Sequence, residues 1–313
     1  MGSEDTFVAM LIYVDDVLIT TPSVSLLSDV KSYLDGLLTI KDLGVARYFL
    51  GLQIARSPTG TSVTQTKYIN DIVRDTGLMH AKSVITPFPQ HIKLSTTGGA
   101  VLSDPEPYRR LVGRLLYLGF KRLDISYGVQ QLSQFLQHPC ESHWHATLHV
   151  VCYLKGTSTT GFFFPVPVPS NCKPIVMPTG LLVLILISYL LQDFGIPLHT
   201  SIPLFCDNKA ALHIMANPVF HERTKHLDID CHLVRNQYKL GFVAPSFVRG
   251  KEQIADIFTK SLPASTFLFL LSKLALFSFD PSPPCGRSVG IQVVAAKSGD
   301  DDAEAAVCLL DAG

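Results

Sequence analysis

The chain has 313 residues, 47% of them hydrophobic, so it can bury sizeable cores, and its length predicts about two domains. Positive and negative side chains balance at 26 each, which excludes a global basic field as the basis of nucleic-acid binding. Seven cysteines, an odd number without a C-x-x-C pair, argue against a disulfide scaffold and a zinc ribbon. Glu4 and Asp5 replace the basic start of a signal peptide, so we expect an intracellular protein, cytoplasmic or nuclear and not secreted.

The N-terminal stretch 7–20 consists of two apolar runs rich in Val and Ile, with Asp15 and Asp16 between them. The pattern predicts a β-hairpin with both aspartates at its turn. Like charges this close repel, and a bound divalent cation would relieve the repulsion. The alternative is an Asx-rich turn whose carboxylates are solvated, and these residues alone favour neither interpretation.

The elements that follow the hairpin alternate between helix and strand. Apolar residues at helical spacing predict a helix over 23–38, with Ser23 or Ser25 as its cap. Strands are expected over 47–55 and around 63–65, joined by a turn at 57–60, and then a short helix over 68–76 that Gly77 ends. The stretch 87–107 is rich in proline and glycine without apolar periodicity, which predicts a linker.

The segment 108–155 is predicted to be helical, and it begins with a basic cluster: Arg109, Arg110, Arg114, Lys121 and Arg122. Arg110 and Arg114 are four residues apart and therefore share a helix face, which suits contacts with phosphates. The alternative is a solvated helix surface. Four histidines between 138 and 149 admit a metal site, but no acid or cysteine completes a ligand set, so a surface helix is favoured.

The last third of the chain contains apolar and charged segments in turn. The apolar run 181–191 is shorter than the roughly 20 residues of a membrane-spanning helix, so a buried element is expected. A buried strand over 203–206 leads to Asp207, followed by a helix over 209–216 and a strand over 242–248. A basic stretch over 221–239 includes Arg223, Lys225 and His226, and Asp256 lies in the segment 251–260.

Motifs in chain order resemble those of copia-type LTR retrotransposon Pol polyproteins. The first is Tyr13-Val14-Asp15-Asp16 between hydrophobic strands, which is similar to the active-site hairpin of reverse transcriptases. Further matching segments lie at 41–44, 48–54, 107–118, 124–127, 154–157, 206–211, 221–230 and 255–260. Each motif is weak by itself, but the ordered set is specific and extends over most of residues 7–280.

The resemblance implies an α+β fold made of incomplete domains. We expect a partial reverse transcriptase palm with an antiparallel YVDD hairpin, a helical thumb- or connection-like segment, and a truncated RNase-H-like α/β half-domain. The runs that carry the first two RNase H acids are missing, which indicates an internal deletion. The expected order is palm 1–86, linker 87–107, helical segment 108–164, disrupted junction 165–192, partial RNase-H-like domain 193–278 and disordered tail 279–313.

The resemblance also implies the chemistry of an RNA-directed DNA polymerase with RNase H. Asp15 and Asp16 match polymerase acids, Asp207 and Asp256 match the third and fourth RNase H acids, and Mg²⁺ would be the shared cofactor. The basic residues named above would contact an RNA/DNA template–primer or RNA–DNA hybrid. Because this sequence begins shortly before the hairpin and lacks the upstream palm acid, we expect the chain alone to be inactive. Alternatives are a nucleic-acid-binding module without catalysis and a non-functional translated transposon remnant; whether another chain supplies the missing acids stays open.

Overall fold

The structure is a computed structural model, and it describes the chain in segments. These are residues 7–14, 16–21, 23–38, 40–90, 92, 94–95, 99–166, 201–216, 236, 238–241, 243–274, 276–279, 292–296 and 309–310. The chain divides into two compact units: 1–89, 93–168 and 275–313 form the first, and 90–92 and 169–274 form the second. The described residues form a mixed α/β fold in which antiparallel sheets and helices both occur.

The first unit begins with the predicted hairpin. Strand β1 (Ala9–Tyr13) pairs antiparallel with β2 (Asp16–Thr20), and Tyr13 lies opposite Asp16. Val14 has a φ of 54°, in the left-handed region that tight two-residue hairpin turns require. The sheet runs in the order β1, β2, β11 (Gln292–Ala296) and β3 (Ile40–Val45), and β1 is the outermost described strand.

A strand from the C-terminal region completes this sheet, where the sequence predicted only a disordered tail. Strand β11 (Gln292–Ala296) pairs antiparallel with β2 on one side and with β3 on the other, and β12 (Leu309–Leu310) pairs parallel with β2. The prediction is therefore wrong for these residues. The reason is local, since a short Val- and Ala-rich run inside the acidic tail can use the open backbone groups of β2 and β3.

Helix α1 (Val24–Leu37) follows the hairpin and confirms the predicted helix. Ser23 caps it, with its hydroxyl oxygen accepting from the Leu26 N–H at 3.5 Å. Its buried residue Leu27 joins a small core with Ile19 of β2 and Phe49. This core attaches the helix to the hairpin sheet.

A second antiparallel sheet has the order β10, β7, β6, β5, β4. Its strands are β4 (Tyr48–Phe49), β5 (Leu52–Ser57), β6 (Gly60–Thr64), β7 (Thr160–Pro165) and β10 (Leu276–Ser278). The predicted strand pair with a turn at 57–60 is thus confirmed as β5 and β6. Strands from residues 48–64 thus pair in one sheet with strands from 160–165 and 276–278.

Four further helices pack together in the first unit: α2 (Thr66–Asp75), α3 (Glu106–Gly119), α4 (Ser126–Ser133) and α5 (Glu141–Gly156). Their apolar faces bury Ile69, Leu115, Leu132 and Leu154, each with an exposed fraction of 0%. Short 3₁₀ turns lie at Leu78–His80, after the left-handed Gly77, and at Leu123–Ile125. The helical prediction for 108–155 is confirmed by α3, α4 and α5, but the expected helical segment 108–164 is wrong at its end, where Thr160–Pro165 forms strand β7 and pairs with β6.

The stretch predicted as a linker, 87–107, packs against these helices where the structure describes it. The ring of Phe88 is buried and contacts Gly128 and Tyr127 of α4. Val101 forms a β-bridge with Cys140. The stretch is irregular up to α3, as expected, and it contributes to the core of the first unit; the domain boundary itself stays a prediction.

The second unit contains a parallel strand pair. Strand β8 (Ile202–Cys206) pairs with β9 (Val243–Phe247), and α6 (Lys209–Ala216) follows β8. A 3₁₀ turn at Gly250–Glu252, α7 (Asp256–Thr259) and α8 (Ala264–Leu271) come next. The predicted strand–helix sequence around Asp207 is confirmed. The apolar run 181–191 lies outside the described residues, and none of the described helices combines the length and apolarity needed to cross a membrane.

Candidate metal and nucleic-acid sites

Of the two predicted metal ligands at the hairpin turn, one lies among the residues that the structure describes. Asp16 opens β2 with a half-buried side chain, directly across from Tyr13, and Asp15 is not among the described residues. Tyr13 and Val14 beside it have exposed fractions of 57% and 81%. The turn beside Asp16 is therefore exposed, whereas Oδ1 of the Asp16 carboxylate is itself buried.

The second pair of predicted acids lies in the second unit, Asp207 after β8 and Asp256 at the start of α7. Asp207 follows β8, and the 3₁₀ turn after the neighbouring β9 lies so close that a Cβ at Gly250 would be 3.7 Å from Asp207 Oδ2. The Gln253 amide donates to the Phe205 carbonyl at 3.4 Å and holds this turn against β8. Parallel pairing thus places Asp207 at the strand-end edge at which α/β sheets bind ligands.

Lys260 forms an ion pair with Asp256, the second of these acids. Its Nζ lies 2.8 Å from Asp256 Oδ1, one helical turn away. The hydrogen bond to Asp256, together with the negative charges of Asp256 and Asp207, raises the pKa of Lys260. Both carboxylates therefore act on one lysine. Throughout the described residues, no group of three or more His, Cys, Asp or Glu side chains could hold a metal ion.

Of the predicted basic residues on α3 and directly after it, three have protein partners and one is open to solvent. Arg109 donates to the carbonyls of Leu136 and Gln137, and Arg114 forms an ion pair with Asp75 at 2.6 Å. The Lys121 ammonium lies 4.2 Å from the centre of the Tyr117 ring. Arg110 is exposed at the surface. Arg109, Arg110 and Arg114 keep exposed or partly exposed guanidinium groups.

Arg122 does not contact solvent, which contradicts its prediction as a phosphate ligand. Its side chain is 2% exposed and forms a bidentate ion pair with Asp124, with N–O distances of 3.0 and 2.7 Å. It also donates to the carbonyl and hydroxyl oxygens of Thr157, and Tyr153 donates to Asp124 at 2.6 Å. Helix α3 ends at Gly119, so the chain turns Arg122 inward, where its four hydrogen bonds leave it no access to a phosphate.

The histidines and the second basic stretch give a mixed outcome. His143 is fully buried, accepts the Cys140 N–H on Nδ1 at 2.9 Å and stacks on Phe135, so the surface-helix prediction is wrong for this residue. Burial lowers the pKa of His143, which keeps the ring neutral. His138 and His145 are exposed. Arg223, Lys225 and His226 lie outside the described residues, so their nucleic-acid role stays a prediction.

Sequence reasoning missed a group of tyrosines that lie against these cations. Tyr68 and Tyr117 pack edge to face with ring centres 5.4 Å apart, and Arg114 lies over Tyr68. Lys67 lies over Tyr48, 5.7 Å from the ring centre. One signal was available in the sequence, because Tyr117 and Lys121 are four residues apart on a predicted helix and must be neighbours.

Comparison with known proteins agrees with the sequence motifs. Residues 1–90 match the family model described as reverse transcriptase (RNA-dependent DNA polymerase). The chain is 34% identical to the retrovirus-related Pol polyprotein from transposon RE1 of Arabidopsis thaliana, covering 88% of this chain and 22% of that protein. It is 31% identical to the corresponding polyprotein from transposon RE2, also of Arabidopsis thaliana, covering 90% of this chain and 22% of that protein.

A shorter relative covers half of the chain. An uncharacterized mitochondrial protein of Arabidopsis thaliana is 37% identical over 49% of this chain and 64% of its own length. A search of solved structures gave no significant match. The chain thus spans about a fifth of the length of the Pol polyproteins that it matches. Residues 1–90 thus match the reverse transcriptase family, within a chain that is similar along most of its length to copia-type retrotransposon Pol polyproteins.

Proposed function

We propose that this chain is part of a copia-type RNA-directed DNA polymerase in which Asp15 and Asp16 are metal ligands of the polymerase site. The observation that carries the proposal is the tight hairpin turn between Tyr13 and Asp16, inside the residues that match the reverse transcriptase family. Carboxylate oxygens are the ligands that Mg²⁺ prefers, so the residue types fit the ion.

The carboxylates and the basic residues of the proposed site would have different roles in phosphoryl transfer. Asp15 and Asp16 would hold divalent ions at the tip of the hairpin, and such ions stabilise the attacking and leaving oxygens of an in-line phosphoryl transfer. Asp16 is fixed by its backbone pairing with Tyr13, so the strand sets the position of its carboxylate. The basic residues of α3 would bind the phosphates of the template–primer.

We further propose that the 313 residues are inactive by themselves in both reactions. A two-metal site needs further ligands besides the pair at the hairpin turn, and the family's RNase H site uses four acids, of which Asp207 and Asp256 have matches here. In the part of the chain that the structure describes, Asp256 is already paired with Lys260. Two carboxylates hold Mg²⁺ weakly, because the ion demands near-octahedral geometry and gives up water reluctantly.

Primer extension and metal binding test the proposal together. The purified chain, given an RNA template, a DNA primer and Mg²⁺, is expected to extend no primer. Mn²⁺ binding, followed by electron paramagnetic resonance, is expected to weaken about ten-fold or more in Asp15→Asn or Asp16→Asn, since even outer-shell changes cost that much. Asp71→Asn, which changes a carboxylate paired with Arg74 on α2, is the control and should leave binding unchanged.

The primer-extension assay and the Mn²⁺-binding assay can each contradict one part of the proposal. Extension that Asp15→Asn abolishes would refute the inactivity of the chain while supporting the assignment of the site. Mn²⁺ binding that neither hairpin variant changes would refute the assignment of the metal ligands.

A second candidate function, nucleic-acid binding without catalysis, is favoured by the surface of α3. Arg110 is exposed, and Arg114 lies one turn further along the helix, 25% exposed and paired with Asp75. A chain of zero net charge has no general attraction for nucleic acid, so binding would have to come from such a local face. The counterions that a basic face releases make such binding dependent on salt.

We expect the double variant Arg110→Glu/Arg114→Glu to lose most of the affinity for an RNA–DNA hybrid at low salt. In a plot of log affinity against log salt, the slope should fall by about one for each phosphate contact that is removed. Arg74→Glu on α2 is the control, because it reverses the charge of one exposed arginine outside α3. No binding of the wild-type chain at low salt would eliminate this candidate.

A further inference from the structure

Three aromatic–cation contacts of the first unit are linked into one cluster. We call it the tyrosine–cation strip and define it by its members: Tyr48, Lys67, Tyr68, Arg114, Tyr117 and Lys121. Lys67 lies 5.7 Å from the Tyr48 ring centre, Arg114 lies 5.5 Å from that of Tyr68, and Lys121 lies 4.2 Å from that of Tyr117. Chain continuity from Lys67 to Tyr68 and the ring contact between Tyr68 and Tyr117 join these pairs.

A hydrogen bond and an ion pair hold two side chains of the strip in place, while Tyr48 and Lys67 at its other end stay accessible to solvent. The Tyr117 hydroxyl donates to the Leu50 carbonyl at 2.5 Å, and Arg114 is fixed by Asp75 at 2.6 Å. Tyr48 at the other end has an exposed fraction of 47%, and Lys67 is exposed. A ligand that used these rings would therefore meet side chains that are already ordered, which lowers the entropic cost of binding.

The strip lies beside the sheet that carries the hairpin. The Tyr117 hydroxyl donates to the Leu50 carbonyl, and Leu50 packs against the core that contains Ile19 of β2. Strand β2 begins at Asp16, one of the proposed metal ligands. A ligand bound along the strip would thus lie beside the sheet whose hairpin carries the proposed metal site.

We propose that the tyrosine–cation strip binds single-stranded nucleic acid, an inference that rests on the proposed polymerase function. Aromatic rings interleaved with cations are the surface that unpaired bases and their phosphates recognise, the rings by stacking and the cations by charge. In a duplex the faces of the bases are stacked on each other and are not offered to a ring. The strip is therefore selective for a strand that has not yet been paired, such as a template ahead of the primer end.

The charge on the strip fits a polyanionic strand. Of its three cations, Arg114 is paired with the Asp75 carboxylate, and Lys67 and Lys121 lie against tyrosine rings. Burial lowers the pKa of Lys121 from an ordinary value of 10.5. The local surplus of positive charge arises although the whole chain is neutral.

Fluorescence anisotropy with two labelled ligands of equal length tests the inference: an oligothymidylate of 12 nucleotides and a blunt RNA–DNA hybrid of 12 base pairs. The full chain with Tyr48→Ala/Tyr68→Ala is expected to bind the oligothymidylate about ten-fold or more weakly, because stacking on one ring is worth that much. Binding of the hybrid should change less than about two-fold. Tyr33→Ala, at a tyrosine of α1 that is 68% exposed, is the control and should change neither.

A second variant separates stacking from loss of structure. Tyr48→Phe/Tyr68→Phe keeps both rings and should bind the oligothymidylate as the wild type does. Wild-type affinity in the alanine variant would overturn the inference, and so would equal weakening for both ligands, since the contact would then be to phosphates alone. Mn²⁺ binding at the hairpin is measured in the same variants; its persistence shows that a failure of this inference leaves the proposed polymerase site untouched.

Discussion

Asp124→Leu is expected to lower the free energy of unfolding by about 3–5 kcal/mol, because it leaves the Arg122 guanidinium buried without a counter-charge. The carboxylate of Asp124 accepts from two guanidinium nitrogens and from the Tyr153 hydroxyl, so one substitution removes three hydrogen bonds. Arg122 is 2% exposed and cannot reach water without moving α5 or the segment after α3. Burial, and then the charge of Asp124, raises the pKa of Tyr153, so this hydroxyl remains a donor.

Urea denaturation followed by circular dichroism measures this loss. Asp71→Leu is the matched control, since it breaks an ion pair with Arg74 in which the side chains are 37% and 66% exposed. Exposed pairs of this kind contribute about 0–1 kcal/mol. The double variant Arg122→Met/Asp124→Leu should recover part of the loss, because the orphaned charge is gone. Equal effects of Asp124→Leu and Asp71→Leu would show that the buried network does not stabilise the fold.

Gly161→Val is the second substitution with a large expected effect, a loss of roughly 3 kcal/mol from overpacking. A Cβ at Gly161 would lie 2.2 Å from the Val63 carbonyl oxygen and 3.0 Å from the Thr64 Cα, both of which are backbone atoms of β6. Backbone of a paired strand cannot rotate away as a side chain can. We expect β6 and β7 to separate locally and the thermal unfolding temperature to fall by several degrees.

Gly113→Ala provides the control for Gly161→Val. It lies in the middle of α3, and a Cβ there would meet no atom within 4 Å. Alanine favours the helix over glycine by about 1 kcal/mol, so this substitution should raise the unfolding temperature. Calorimetry that finds both glycine substitutions destabilising would contradict the packing argument for Gly161.

Local patterns in the sequence were enough for most elements of the first unit. Of the two predicted caps, Ser23 or Ser25, it is Ser23 that caps α1. Gly77 correctly marked the end of the helix α2, and the turn at 57–60 joins β5 to β6. These features depend on residues close in sequence, so helical spacing, caps and turn residues determine them. The Asp207 strand and the helix after it were predicted for the same reason.

The predictions were wrong where contacts between residues far apart in the sequence determine the structure. Arg122 continued a basic run, and only the end of α3 and the approach of Thr157 from the end of α5 turn it inward. The Arg-x-Asp spacing to Asp124 was the one sequence hint of a buried pair. His143 is buried because Phe135 stacks on it, and strand β11 pairs with β2 more than 270 residues away. Periodicity within a window carries no information about such contacts.

The position of β1 at the outer end of its sheet affects how the isolated chain behaves in solution. Met10, Leu11 and Ile12 are between 46% and 61% exposed along a strand whose second backbone edge has no partner among the described strands. Such an edge accepts a strand from another molecule, so concentrated preparations should self-associate and precipitate. A lysine in place of Leu11 would oppose this intermolecular pairing, which makes it a practical change for obtaining material for the experiments above.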